Sequence, residues 1–328
     1  MIIDVHGHYM PLIKETGYEM LFDIETDDDG CKYMKINGRK IGKLDEGLVS
    51  IQKQLADMDE VQIDCRMLCV PPFAFNYKKD DKAIKWAKYL NDQMYRDISD
   101  CPSKFIGLAT LPMGSIDVAC EELERTMKDY GFAGAEIATN IDGVELDDKS
   151  LDPFWAKAEE LGAFILLHPH YTIDEKNRLS NKFHLRNIIG NPLDTTIAAM
   201  RIIIGGIFER YPKLRICLSH SGGYLPHAIS RFDHARKVRP EFEYLKSAPS
   251  DYLKSFYYDT IIHDVEALEY VMSRTSIDSI LLGTDYPFDM GDLNPVDIVE
   301  KLNIDRIEKE KILSNNAALL LEMKTEVR

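Results

Sequence analysis

The feature that most limits what this chain can fold into is a rhythm. Short apolar runs of strand length recur eight times, at 2–5, 63–70, 105–111, 133–138, 164–167, 214–218, 256–261 and 279–282. Between them, helical periodicity occupies stretches such as 82–99, 116–130, 153–161, 195–211 and 265–273, where apolar residues return every three to four positions. Strands alternating with helices pair in parallel, because the helix carries the chain back to the end where the strand began. Eight such units is the number that closes a barrel, so the spacing predicts an α/β protein, a (β/α)8 TIM barrel. The competing architecture is an open doubly wound sheet, but no G-x-G-x-x-G follows any of the strands. Local signals agree: Asp152 can cap a helix that starts at Pro153, and Gly162 follows its last turn.

At 328 residues the chain fits one barrel domain, 1–328. The segment 12–50 is longer than an ordinary strand-to-helix connection, so it is expected to form an inserted excursion after the first strand, a lid or small unit over one end of the barrel. With 45% hydrophobic residues the chain can bury a large core, and it has no run approaching the ~20 apolar residues of a membrane span. A formal charge of -15 argues against a nucleic-acid surface, which needs clustered Lys and Arg. The six cysteines have no paired spacing and Met1 leads directly into a strand, which points to a reducing cytoplasm. Cys65 and Cys69, within one strand-like run, read as buried thiols.

Polar residues fall in a pattern on this frame. The first strand ends in H-x-H, His6 and His8, which in an extended strand point to one face while Ile3 and Val5 point to the other. Strand five ends at His168, strand six at His220 and strand eight at Asp285. In a parallel barrel all C-terminal strand ends open on one face. His6, His8, His168, His220 and Asp285 would therefore gather in one cup, a cluster suited to a metal ion or to catalysis.

The chain resembles the amidohydrolase superfamily. Within it, the resemblance is to the metal-dependent decarboxylase branch that includes aminocarboxymuconate-semialdehyde, resorcylate and carboxyvanillate decarboxylases. The opening H-x-H, "FIGLATLPM" at 105–113, "LLHPH" at 166–170, "NPLDTTIA" at 191–198, "LSHSGGYLP" at 218–226 and "LLGTDYPF" at 281–288 carry it. The resemblance implies His6, His8, His168 and Asp285 as ligands of a divalent metal ion, with His220 beside it as an acid/base group. Nitrogen and oxygen ligands suit Zn2+ first, with Mn2+ or Fe2+ as alternatives. Two-metal relatives need a bridging group, often a lysine, near the end of strand four; "FAGAEIATN" has none, which favours one ion. Glu136 in that strand could hold a second ion or be a hydrogen-bonded barrel residue.

The expected reaction is non-oxidative decarboxylation of a hydroxylated aromatic or muconate-type carboxylic acid, with Asp285 or a metal-bound water delivering a proton to the carbon that carries the carboxylate. The alternative on the same scaffold is a metal-dependent hydrolase of an amide, ester or lactone, or a hydratase. A non-catalytic barrel with a structural metal fits less well, because structural zinc sites are closed and often cysteine-rich. For substrate binding, Arg39 in the excursion could hold a carboxylate, and Phe75, with Phe73 and Tyr77, could wall a flat ring. His170 stands where the muconate enzyme has a tryptophan. Arg231 and Arg239 follow strand six, a region from which related enzymes send an arginine into the neighbouring subunit, so a homodimer or higher homo-oligomer is expected. His184, His227, His234 and His263 read as structural or peripheral.

Overall fold

The computed structural model describes residues 1–13, 22–36, 38–170, 178–179 and 182–322. Eight strands form one sheet in chain order: β1 (Ile3–His8), β2 (Cys65–Cys69), β3 (Phe105–Thr110), β4 (Gly134–Ala138), β5 (Phe164–His168), β6 (Arg215–Leu218), β7 (Phe256–Asp259) and β8 (Ile280–Leu281). Neighbours in that order pair in parallel. The end of the sheet returns to its start: Val5 N donates to Leu282 O at 2.9 Å, Asp285 N to His6 O at 2.8 Å and His8 N to Tyr286 O at 2.7 Å. This is the (β/α)8 barrel read from the strand rhythm. The helices include α1 (Ile51–Glu60), α2 (Asp81–Ile98), α3 (Ile116–Tyr130), α4 (Asp152–Leu161), α5 (Asn191–Ile204), α6 (Leu225–Val238), α7 (Val265–Arg274) and α8 (Asn316–Leu320), with further helical turns at Ile207–Arg210, Pro295–Glu300 and Arg306–Glu310.

Alternation along the strands sorts the core into two layers. Ile165 and Leu167 of β5 pack with the helices, alongside Phe154, Trp155 and Ile203. Phe164 and Leu166 face the lumen with Met67, Leu108, Cys217 and Leu281, and Ala317, Ala318 and Leu320 at α8 join that cluster. Burying a residue such as Leu166 stabilises the fold by about 1.5–3 kcal/mol.

Strand β1 breaks simple alternation. Its register to β2 shifts between Asp4 and Gly7, a β-bulge. Ile3 and Val5 therefore lie in the lumen cluster, on the side the histidines also face, rather than on the opposite side as an unbroken strand would require. Below the bulge Asp4 faces outward and pairs with Arg66 at 2.7 Å. Gly7 is needed there, since a Cβ at that position would sit 2.5 Å from Arg66 Cδ.

Smaller differences have local causes. Asp152 is the first residue of α4 rather than its cap, and its carboxylate takes Arg210 at 2.9 Å. Gly162 does end α4, at φ 62. The helix expected over 195–211 stops at Gly205, and a separate turn, Ile207–Arg210, follows. Between β1 and α1 lies a three-stranded antiparallel sheet, Asp23–Thr26, Lys32–Ile36 and Arg39–Lys43. Positions 14–21 and 37 of the expected excursion lie outside the described residues.

Candidate metal centre

The C-terminal ends of β1 and β5 and the segment after β8 bring four donor atoms together. Nε2 of His6 is 3.3 Å from Nε2 of His8, and Asp285 Oδ1 is 2.9 Å from His8 Nε2, 3.5 Å from His6 Nε2 and 3.9 Å from His168 Nε2. Among the described residues, His6, His8, His168 and Asp285 form a group whose ligand atoms all lie within 4.8 Å of one another, and all four are buried. Donors about 2.1 Å from a tetrahedral Zn2+ would stand about 3.4 Å apart, so the spacing suits one ion.

Hydrogen placement makes the same point. His6 Nδ1 faces Asp259 Oδ2 at 2.9 Å, and His168 Nδ1 faces Pro169 O at 2.7 Å. Both partners are acceptors, so both rings carry their hydrogen on Nδ1. His8 Nδ1 lies 3.4 Å from the Cys69 thiol. In the neutral rings that leaves a lone pair on Nε2 of His6 and of His168, directed with His8 Nε2 and an acidic oxygen at one point. His168 Nε2 has no hydrogen-bond partner. Lone pairs this close repel unless a cation lies among them, and the donor set therefore fits a divalent metal.

Ionisation follows from burial and neighbours. Burial opposes a charge on His6, but the hydrogen bond to Asp259 and the nearby Asp285 carboxylate outweigh it and raise its pKa to about 9, so the ion-free ring binds a second proton at Nε2, which a metal ion would displace. Burial, helped by the other imidazoles, pushes His168 well below the ordinary range, which keeps it neutral. Burial also lowers His8 against the pull of Asp285. Burial opposes a charge on Asp285, but its close contacts with His220 and His8 and the nearby His6 imidazole outweigh that and hold it well below the carboxylate range. Glu136, fully buried on β4, is pushed well above it by desolvation, and neither of its oxygens meets a hydrogen-bond partner. It groups with His8 and the Cys69 thiol rather than with the other three ligands.

His220 sits at the rim of this cluster, with Nε2 3.4 Å from Asp285 Oδ2 and Nδ1 unpartnered. His220, Ser221 and Asp285 occupy the left-handed region at φ 54, 51 and 56. Such conformations cost roughly 1–3 kcal/mol each and persist where surrounding bonds fix them. His220 also lines a cavity of about 340 Å³ with Tyr224, Ile261, Met290, His227 and His263. The last two, read from the sequence as structural or peripheral, line this cavity.

The substrate candidates are dispersed. Phe75 is buried, stacks on Tyr77 at 5.5 Å and meets His170 at 5.5 Å, and with His170 and Lys78 lines a separate cavity of about 470 Å³. Phe73 stacks on Phe22. Arg39 is exposed at the start of the third strand of the small antiparallel sheet. Arg231 is exposed on α6, and Arg239 is ion-paired with Glu241 at 2.7 Å. None of the three arginines lines either cavity.

Two supports went unseen in the sequence. Asp259, fully buried at the end of β7, accepts from His6; it obeys the strand-end rule that found the other ligands and could have been caught by it. Behind β1, Arg66 Nη1 donates to Gln54 Oε1 at 2.6 Å, and Gln54 Nε2 donates to His8 O at 2.9 Å. Thr284 Oγ1 donates to Asp4 Oδ2 at 2.7 Å, and the Arg66 guanidinium lies 4.1 Å from the Tyr286 ring centroid. This network ties β1 to the segment that carries Asp285.

The chain matches the Amidohydrolase family over residues 3–322 and belongs to it. It is 32% identical over 324 residues to 2-amino-3-carboxymuconate-6-semialdehyde decarboxylase of Dictyostelium discoideum, which covers 96% of this chain and 90% of that one. It is 28% identical over 294 residues to gamma-resorcylate decarboxylase of a Polaromonas strain, covering 84% and 89%. A solved dihydroxybenzoic acid decarboxylase from Polaromonas, with bound manganese and the inhibitor 2-nitroresorcinol, has a TM-score of 0.80 at 24% identity, covering 98% of this chain and 96% of that one. At that identity the likeness speaks for the fold.

Proposed function

We propose that this protein is a metal-dependent, non-oxidative decarboxylase of a hydroxylated aromatic or muconate-type carboxylic acid. The observation that carries the reading is the convergence of His6, His8, His168 and Asp285 on one point, with His220 bonded to the second oxygen of that aspartate. Relatives named as decarboxylases across nearly the whole chain support it. His6, His8, His168 and Asp285 would hold one divalent ion, Zn2+ first, with Mn2+ or Fe2+ as alternatives. Such an ion supplies positive charge that engages a substrate carboxylate and a neighbouring oxygen.

The chain's own groups handle the proton. His220 Nε2 and Asp285 Oδ2 form a pair that can pass a proton to the substrate carbon bearing the carboxylate. Once that carbon is tetrahedral, its bond to the carboxylate breaks, CO2 leaves, and the electron pair returns to the unsaturated system. The cavity beside His220, with Ile261, Met290 and Tyr224 in its wall, offers an apolar seat for the body of the acid. Phe75 would wall the neighbouring cavity with His170, and Arg39, on the small antiparallel sheet, lines neither cavity. In a homodimer or higher homo-oligomer, Arg231 or Arg239 would reach a partner's site. The six unpaired thiols suit a cytoplasmic location, and no helix among the described residues is long and apolar enough to cross a membrane.

Metal analysis followed by CO2 release across dihydroxybenzoates, vanillate derivatives and muconate semialdehydes tests the reading. A single equivalent of metal with CO2 release is expected. Hydrolysis of amides or lactones without CO2 release would replace it with the hydrolase alternative.

A further inference from the structure

We propose that Asp259 is the positioning residue of this centre: one carboxylate sets the tautomer of His6 and the placement of His220 together. The inference rests on the metal-site reading above.

Asp259 ends β7 and is fully buried. Its Oδ2 accepts from His6 Nδ1 at 2.9 Å and from the backbone N of His220 at 3.0 Å. Its Oδ1 accepts from Ser221 N at 2.8 Å and Ile261 N at 3.2 Å. Its backbone carbonyl accepts from Ser221 Oγ at 2.8 Å. Four N–H donors thus converge on the two side-chain oxygens, two on each. As a metal ligand His6 must be neutral, with a single N–H; fixing it on Nδ1 leaves the Nε2 lone pair aimed at the point shared with His8 and Asp285. The same oxygen holds the amide of His220, whose backbone and that of Ser221 lie in a disfavoured left-handed conformation.

Neighbouring sequence makes room for this contact. A Cβ at Gly283 would lie 2.8 Å from Asp259 Cβ and 3.2 Å from His6 Cβ, so the absence of a side chain on the adjacent segment lets the two approach. Asn cannot replace Asp259. Its amide would present N–H groups either to His6 and His220 or to Ser221 and Ile261, donor against donor. In the first case the His6 hydrogen moves to Nε2 and the ligand is lost; in the second the His220 turn loses its anchor.

The test uses the full-length zinc-loaded protein and D259N. Chelator competition should show zinc affinity falling about 10- to 100-fold in D259N. Nitrogen-15 spectra should show a slowly exchanging His6 Nδ1–H resonance, assigned by its loss in His6→Ala, that shifts or disappears in D259N. A purely structural role would lower stability without moving that resonance. Zinc affinity within twofold of the parent and an unmoved resonance would overturn the proposal. Should D259N fail to fold, Gly283→Ala, which crowds the same contact, must weaken zinc binding and move the resonance; if it does neither, the proposal falls. A parent protein that takes up no zinc yet keeps the bonded Nδ1–H resonance defeats the metal reading and not the hold of Asp259 on His6. A parent lacking that resonance defeats the latter.

Discussion

The lower and upper halves of the barrel lumen are made by the same strands and differ in almost everything else. Below, Ile3, Val5, Met67, Phe164, Leu166, Cys217 and Leu281 pack as an apolar plug. Above, His6, His8, Glu136, His168 and Asp285 crowd acceptors and lone pairs together, and both oxygens of Glu136 and Nε2 of His168 meet no hydrogen-bond partner. Apart from the bulge in β1, the lower half keeps ordinary strand pairing; the upper half holds His220, Ser221 and Asp285 at positive φ. The contrast teaches that one layer stabilises the barrel while the next, a residue or two along each strand, is held against local preference by the layer beneath and by outside supports such as the Asp4–Arg66 pair.

The division predicts that damage above and damage below have different signatures. The largest effect belongs to Asp285→Asn: metal content falls towards zero and CO2 release drops by at least about 1,000-fold, with the barrel still folded by circular dichroism. A variant that kept its ion and its turnover would erase the distinction between the halves. His220→Asn should lower kcat by about 10²–10⁴-fold while metal content stays at the parent level, since His220 lies outside the ligand group. Loss of metal in that variant would mean that the rim and the ligand group are not separable.

In the lower half, Leu166→Ala should cost about 2–5 kcal/mol in denaturant unfolding and leave the metal affinity of the folded fraction unchanged. Weakened metal binding at full stability would contradict the layering. Removing the ion is a gentler insult to the upper half: at free metal 100-fold above its Kd, chelation should lower unfolding free energy by about 2.7 kcal/mol, seen as a drop in Tm. Smallest of all, Arg239→Ala should leave the denaturant midpoint unchanged, because its pair with Glu241 is exposed. A large loss of activity in that otherwise stable variant would place Arg239 in a partner's site and extend the upper half across a subunit boundary.

Much of the barrel was legible because its strands are apolar runs bounded by helices, and a period of two or of 3.6 is written directly in residue order. The five cup residues were legible for a related reason: each stands at a strand end, and parallel pairing sends all strand ends to one face. Asp259 obeys the same rule and was overlooked because it is one acidic residue in a run of aromatics. The lining of the cavities by His227, His263 and Lys78 could not be read, since loops follow no period and their approach depends on the elements that they connect.

The sequence by itself determined the fold class and which residues share the open end of the barrel, because both depend on local periodicity and chain direction. Only the tertiary structure decided that Ile3 and Val5 share the lumen with the histidines, because a bulge is a property of two paired strands. It alone decided which nitrogen of His6 carries the hydrogen and where Arg66 lies. Those outcomes depend on contacts between residues 62 to 253 positions apart, which no stretch of sequence can specify until the chain has closed on itself.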